Sequence, residues 1–201
     1  MTPGPPSAPA RIELGRADLP TVVFAHGWDR HGEDFRPVAE LIADRAHAVL
    51  LDLPGFGASP RPEASWGTED YARYLREHIG DELGCSSFIW VGHSFGGRIG
   101  LRLAAVADSP VSDLVIVAGA GLKRPRSWWE TVRARARSQW FRLRRRPGMS
   151  EADLIALERQ FGSADYVRSR ETGLRDIFLN TVNEDQSDSV VGQRMARTLS
   201  D

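Results

Sequence analysis

Gly92-His93-Ser94-Phe95-Gly96-Gly97 is the stretch of this chain whose residue types and spacing could do chemistry. It follows an apolar run at 88–91 (FIWV) and opens a small-residue helical pattern at 97–107 (GRIGLRLAAVA). A G-x-S-x-G sequence between strand and helix makes a turn so tight that its glycines must let backbones approach closely. The same turn lifts the serine Oγ to the rim of a sheet, and the helix N-terminus behind it offers N–H groups and a positive dipole end to a developing oxyanion. That is the chemistry of nucleophilic attack on an acyl carbon by Ser94. A phosphate-cradling loop is excluded, because Arg98 and Ile99 follow Gly97 where Lys and Ser or Thr are required.

A serine hydroxyl needs a base within hydrogen-bond reach to be a good nucleophile. The five histidines are His26, His31, His47, His78 and His93, and none follows Ser94 in these 201 residues. His93 adjoins the serine, but neighbours in a tight turn point in different directions, so it is expected to pack beneath the turn. His26 is expected to shape a turn near the site, and His31, His47 and His78 to be solvated. No spacing of His, Cys, Asp or Glu resembles a metal site.

The elements that must position Ser94 alternate between two textures. Runs at 21–25 (TVVFA), 48–51 (AVLL), 88–91 and 114–118 (LVIVA) are continuously apolar and bounded by Gly, Pro or Asp. Such runs suit strands buried on both faces of a parallel sheet. Residues 11–14 (RIEL) add a short strand. Helical spacing recurs at 34–45 and at 69–83, the latter with Thr68 as N-cap, and at 97–107. Strand–helix alternation predicts an α/β fold, a mostly parallel sheet flanked by helices. Beyond Leu122 the pattern is helical only, with helices expected at 151–161 and 166–182. The predicted organisation is a flexible tail at 1–10, a core at 11–121, a helical segment at 122–182 and a C-terminal remnant at 183–201.

Composition sets the outer bounds. The chain is 41% hydrophobic and 26% charged, an ordinary globular balance, and carries a net charge of −1. That charge excludes a generally basic nucleic-acid binder. No apolar run approaches the length of a membrane-spanning helix, and the first residues (MTPGPPSAPA) have neither the basic nor the apolar region of a secretory signal. A single cysteine, Cys85, fits a reducing, cytoplasmic compartment. The average hides one exception. Residues 123–146 hold ten Lys or Arg and a single acid, Glu130, with Trp128, Trp129, Trp140 and Phe141 interleaved. That segment reads either as a weak contact with an anionic membrane surface or as a solvated outer face whose tryptophans pack over the site.

Taken together, these segments resemble the α/β-hydrolase fold family, in its capped esterase, lipase and peroxidase-like group. The resemblance rests on the 92–97 turn, on His26-Gly27-Trp28 after the first long strand and on Asp52-Leu53-Pro54-Gly55-Phe56-Gly57-Ala58-Ser59 after the next. Residues 114–121 match the strand after the serine turn. The resemblance implies that Ser94 is the nucleophile and that the backbone N–H groups of Trp28 and Phe95 form an oxyanion hole. It implies that His26, Gly27, Trp28, His93 and Phe95 border the substrate, and that 122–182 is a helical lid. It further implies hydrolysis of a carboxylic ester or related small-molecule acyl bond through an acyl-serine, with no cofactor. Serine in place of aspartate points away from epoxide hydrolases and haloalkane dehalogenases.

The family's chain order is Ser, then Asp or Glu, then His, so the general base has no counterpart here. Residues 184–199 loosely resemble the family's acid loop, with Glu184, Asp185 and Asp188 as candidates, and the acid is left unassigned. The expectation is a fold whose last strands are missing, with impaired turnover. The edge of the 114–118 strand would then be open to self-association. The competing expectation is a non-catalytic protein that binds an apolar ligand or partner.

Overall fold

The computed structural model describes residues 8–119, 128–144, 148–161 and 164–186. A five-stranded sheet is built from β1 (Arg11–Leu14), β2 (Thr21–Ala25), β3 (His47–Leu51), β4 (Phe88–His93) and β5 (Val111–Val117), in the order β1-β3-β2-β4-β5. All neighbours are parallel except β1, which runs antiparallel to β3. The α/β expectation and the mostly parallel sheet therefore stand. β2 lies in the middle and every one of its residues is buried, which is why TVVFA carries no polar alternation.

Helices lie against this sheet. A 3-10 turn (Gly32–Phe35) runs into α1 (Arg36–Ile42), then come α2 (Thr68–Leu83) and α3 (Phe95–Ala104). After β5 the described elements are α4 (Trp128–Arg144), α5 (Glu151–Phe161), α6 (Ala164–Glu171) and α7 (Arg175–Asn183). Among the described residues no helix is long and apolar enough to cross a membrane. The main core joins β2, β3 and β4 to α2 and α3 through residues such as Trp90, Tyr71, Leu75, Ile99 and Leu103. Leu174, Ile177 and Phe178 belong to the same core, so the far end of the segment expected as a lid is anchored in the body of the protein. Leu50, Phe24 and Ala48 form a second cluster on the opposite face of the sheet.

Several boundaries differ from the sequence expectation, each for a physical reason. α2 is capped at Gly67 rather than Thr68. The Asp70 carboxylate accepts the Gly67 N–H at 2.9 Å and Glu184 accepts the Thr68 N–H at 2.9 Å, so long-range and local carboxylates serve where a threonine hydroxyl was expected. The helix expected over 166–182 is two helices. Gly173 takes φ +70° between them, and its carbonyl accepts a hydrogen bond from Arg61. α3 begins at Phe95, two residues early, because the serine turn itself starts it.

The expected tail ends sooner than residue 10. Ala10 donates to Ser59 Oγ at 2.8 Å, and its carbonyl accepts the Asp52 N–H at 2.9 Å. Residues 1–7 of that tail, the junction at 120–127 and the expected remnant beyond 186 lie outside the described residues. β5 occupies an edge of the described sheet.

Candidate active site

Ser94 sits between β4 and α3 with φ +46° and ψ −98°, a backbone conformation that side-chain-bearing residues rarely adopt. The strain is held in place from several sides. The Ser94 N–H donates to Val117 O at 2.9 Å, and the Gly96 N–H donates to His26 O at 3.0 Å. A Cβ on Gly96 would lie 2.2 Å from Ala25 O, and one on Gly92 would lie 2.5 Å from the Gly96 carbonyl group. Both contacts are with backbone, so the two glycines are sterically required where the strand and helix cross.

Trp90 was not singled out from the sequence, yet it clamps the same turn. Its indole Nε1–H donates to Gly96 O at 2.9 Å in a fully buried setting. A buried tryptophan in an aliphatic strand carries a donor that must find a partner, and that was the available signal. Gly100 leaves room for the indole, since a Cβ there would lie 2.5 Å from Trp90 Cδ1.

The His26-Gly27-Trp28 segment lies against this turn. His93, the last residue of β4, is half-buried, and a Cβ on Gly27 would lie 2.5 Å from its Nδ1, so Gly27 makes room for that ring. Trp28 and Phe95 are neighbours, with ring centroids 5.3 Å apart in an edge-to-face arrangement. Both rings are buried. Phe56 stands 5.0 Å from Trp28, Phe178 of α7 stands 4.9 Å from it, and Tyr71 stands 5.1 Å from Phe95. The two side chains expected to border a substrate are thus packed against the protein's own aromatics here.

His26 shapes the turn as its residue context led one to expect, and the place beside a substrate that the resemblance implied is corrected to an internal bracket. It is 1% exposed; its Nδ1–H donates to Gly27 O at 2.7 Å and its Nε2 accepts the Leu53 N–H at 3.0 Å. Neither ring nitrogen is left for a ligand. Burial pushes its pKa down to about 4, so the ring is neutral at physiological pH. His47, expected to be solvated, is buried, with Nε2 2.9 Å from Glu13 Oε2. His78 is half-buried and donates through Nδ1 to Tyr74 O at 2.7 Å, while His31 is exposed.

Asp52 organises the loop beside the site. Its Oδ1 accepts the Gly32 N–H at 2.8 Å and its Oδ2 accepts the Ala58 N–H at 2.7 Å. A Cβ on Gly57, where φ is +54°, would overlap that carboxylate. The spacing of the D-x-x-G-x-G-x-S segment is therefore that of a carboxylate-centred turn. Ser59 completes it by donating to Asp52 O at 2.6 Å.

Glu184 is not brought to Ser94. Its carboxylate is taken up by Thr68 at the start of α2, with Arg102 3.9 Å away. Gln186 bonds Thr68 Oγ1 at 2.8 Å and Arg98 O at 3.0 Å, and Arg98 donates to Thr181 O at 2.7 Å. This network ties the end of α7 to α2 and α3. Asp185 is exposed, and Asp188 lies outside the described residues. Among the described residues no side chain hydrogen-bonds Ser94 Oγ, and none supplies a metal-binding cluster. A hollow of about 290 Å³ between α2 and α3, lined by Glu69, Arg73, Arg76, Arg102 and Val106, contains none of the candidate site residues.

A strained serine between a central parallel strand and a helix N-terminus defines the class. The sequence model described as the alpha/beta hydrolase fold matches residues 20–180. The chain belongs to the α/β-hydrolase fold family. It is 30% identical to a haloalkane dehalogenase of Bradyrhizobium diazoefficiens over 159 residues, covering 74% of this chain and 50% of that protein. It is 31% identical to a pimeloyl-[acyl-carrier protein] methyl ester esterase of Vibrio cholerae over 111 residues, covering 55% of this chain and 41% of the esterase. Among solved structures, a putative ancestral haloalkane dehalogenase is 27% identical with a TM-score of 0.57, covering 90% of this chain and 70% of that one. A membrane phospholipase A, at 23% identity and a TM-score of 0.58, covers 85% of this chain and 57% of its own and shares the fold. The chain spans half or less of the length of these curated relatives.

Proposed function

We propose that the protein is a serine hydrolase of this family, in which Ser94 attacks the carbonyl carbon of a small-molecule carboxylic ester or related acyl bond. The observation that carries the reading is the positive-φ backbone of Ser94 at the head of α3, a strain the fold holds in place on several sides. The Phe95 N–H is among the first amides of α3, which have no acceptor within the helix, and the segment carrying the Trp28 backbone N–H packs on Phe95 through the two side-chain rings. Those two N–H groups would receive the oxyanion of a tetrahedral intermediate.

Two kinds of named relative point in different directions, and the chemistry of a serine nucleophile supports one of them. A serine oxygen that displaced a halide from an alkyl carbon would leave an alkyl ether, which water does not cleave under enzymatic conditions. A serine oxygen that attacks an ester leaves an acyl-serine, which water does cleave. Ser94 therefore favours ester chemistry, in line with the esterase among the relatives.

Acylation is slow in this reading, because among the described residues no side chain hydrogen-bonds Ser94 Oγ and His26 is closed in. A second reading, binding of an apolar ligand without turnover, is favoured by the same observation. Incubation with a p-nitrophenyl ester, followed by peptide mass mapping, separates them. Slow acylation confined to Ser94 and lost in Ser94→Ala supports the hydrolase. Binding of an ester analogue that survives Ser94→Ala, with no acylation at any time, supports the second reading.

A further inference from the structure

α4 carries a surface that the hydrolase chemistry does not use. Over its 17 residues, about 25 Å of helix, Trp128, Val132, Leu143, Ala136, Trp129 and Trp140 fall within one arc of roughly 120°. All are exposed: Trp128 67%, Trp129 65%, Trp140 56% and Leu143 77%. The sequence left open whether these tryptophans pack over the site, and in the structure they face outward. Arg133 borders the arc on one side and Arg135 on the other, and Arg144 lies over the Trp140 ring at 5.1 Å. Trp128 and Trp129 contact each other edge-to-face at 4.3 Å.

We propose that this face of α4 docks on an anionic phospholipid surface, with the tryptophans and Leu143 entering the interface and Arg133 and Arg135 meeting lipid phosphates. Charge complementarity selects this occupant. Residues 123–146 carry +9 while the whole chain carries −1, so the remainder of the protein is net −10. A protein with its charge divided in this way is drawn to an anionic surface α4 first, because the remainder is net repelled. The apolar arc selects lipid over nucleic acid, since Val132 and Leu143 offer nothing to a phosphodiester backbone but gain from entering an acyl boundary. Tryptophans at the edge of such a face sit at headgroup depth, and a helix with these proportions lies in the plane of the interface. The proposal does not depend on whether Ser94 turns over.

Vesicle flotation of the full chain tests it, using phosphatidylcholine alone against an equimolar mixture with phosphatidylglycerol. The expected result is binding to the anionic vesicles only, weakened by salt, with part of the tryptophan emission quenched by brominated lipid. Trp129→Ala/Trp140→Ala/Leu143→Ser should abolish binding, and Arg133→Gln/Arg135→Gln should weaken it about thirtyfold. Because these side chains are exposed, both variants should melt with the wild type, which circular dichroism checks. Equal binding to neutral vesicles, or undiminished binding by the folded triple variant, would overturn the proposal. So would a dimer that the triple variant loses while neither vesicle is bound, since that result would place a second copy on the face.

Discussion

Gly96→Ala and Gly80→Ala are the same substitution on two helices, and the structure gives them opposite signs. At Gly96 the new methyl carbon would lie 2.2 Å from Ala25 O and 2.6 Å from Ala25 C. Both atoms are backbone of the central strand, so no rotamer change relieves the overlap. Overpacking of this kind costs about 3 kcal/mol or more, against at most about 1 kcal/mol recovered from alanine's helix propensity. At Gly80, inside α2, nothing lies within 4 Å of the added carbon, so only the propensity gain remains, roughly 0.5–1 kcal/mol. In a domain of this size 1 kcal/mol corresponds to about 2–4 °C in Tm. Thermal melts followed by circular dichroism should therefore place Gly96→Ala at least about 4 °C below the wild type, and Gly80→Ala about 1–4 °C above it. A Gly96→Ala protein that melts within a degree of the wild type would refute the claim that the turn is held by backbone contact.

Three further perturbations probe the surroundings of the site. His26 has a pKa of about 4 when folded and 6.5 when unfolded, so between these values the unfolded chain binds more protons. Its contribution is present above pH 6.5 and is lost as pH falls toward 4. Urea titrations should show about 2 kcal/mol less stability at pH 5 than at pH 7.5 from this residue, and His26→Gln should remove that part of the slope; an unchanged slope would contradict the burial argument. Asp52→Ala strands the buried Gly32 N–H and releases the exposed Ala58 N–H to water, and should cost about 2 kcal/mol by the same titration. Glu184→Ala uncaps α2 and should cost about 1 kcal/mol, while leaving any labelling of Ser94 unchanged, as a structural carboxylate would.

The sheet was legible because β2 and β3 are buried on both faces, while β4 and β5, whose buried residues fall on one face only, still carry continuous apolar runs. TVVFA, AVLL, FIWV and LVIVA read as strands without help from any partner, and the G-x-S-x-G turn announced itself between one of them and a helix. Features that depend on distant partners were not legible. Glu184 caps a helix more than a hundred residues earlier, so its role is invisible in local sequence, and Thr68 looked like the cap in its absence. His26 sits in a short segment that suggests substrate contact, and only the fold shows Leu53 and Gly27 occupying both ring nitrogens. His47 lies at the start of β3, and its burial follows from the strand order, which sequence periodicity does not carry. The break at Gly173 was signalled by the glycine, but the helical spacing on either side hid it.

Fluorophosphonate labelling of the full chain, read by intact mass and peptide mapping in the presence and absence of imidazole, tests the central claim most directly. A preorganised serine whose Oγ is hydrogen-bonded to no base among the described residues should react slowly by itself. Free imidazole, acting as a diffusible general base, should accelerate it. The expected result is a single adduct on Ser94, formed faster with added imidazole and absent from Ser94→Ala. Equal labelling of the wild type and Ser94→Ala, or an adduct on any residue other than Ser94, would contradict the assignment of Ser94 as the nucleophile.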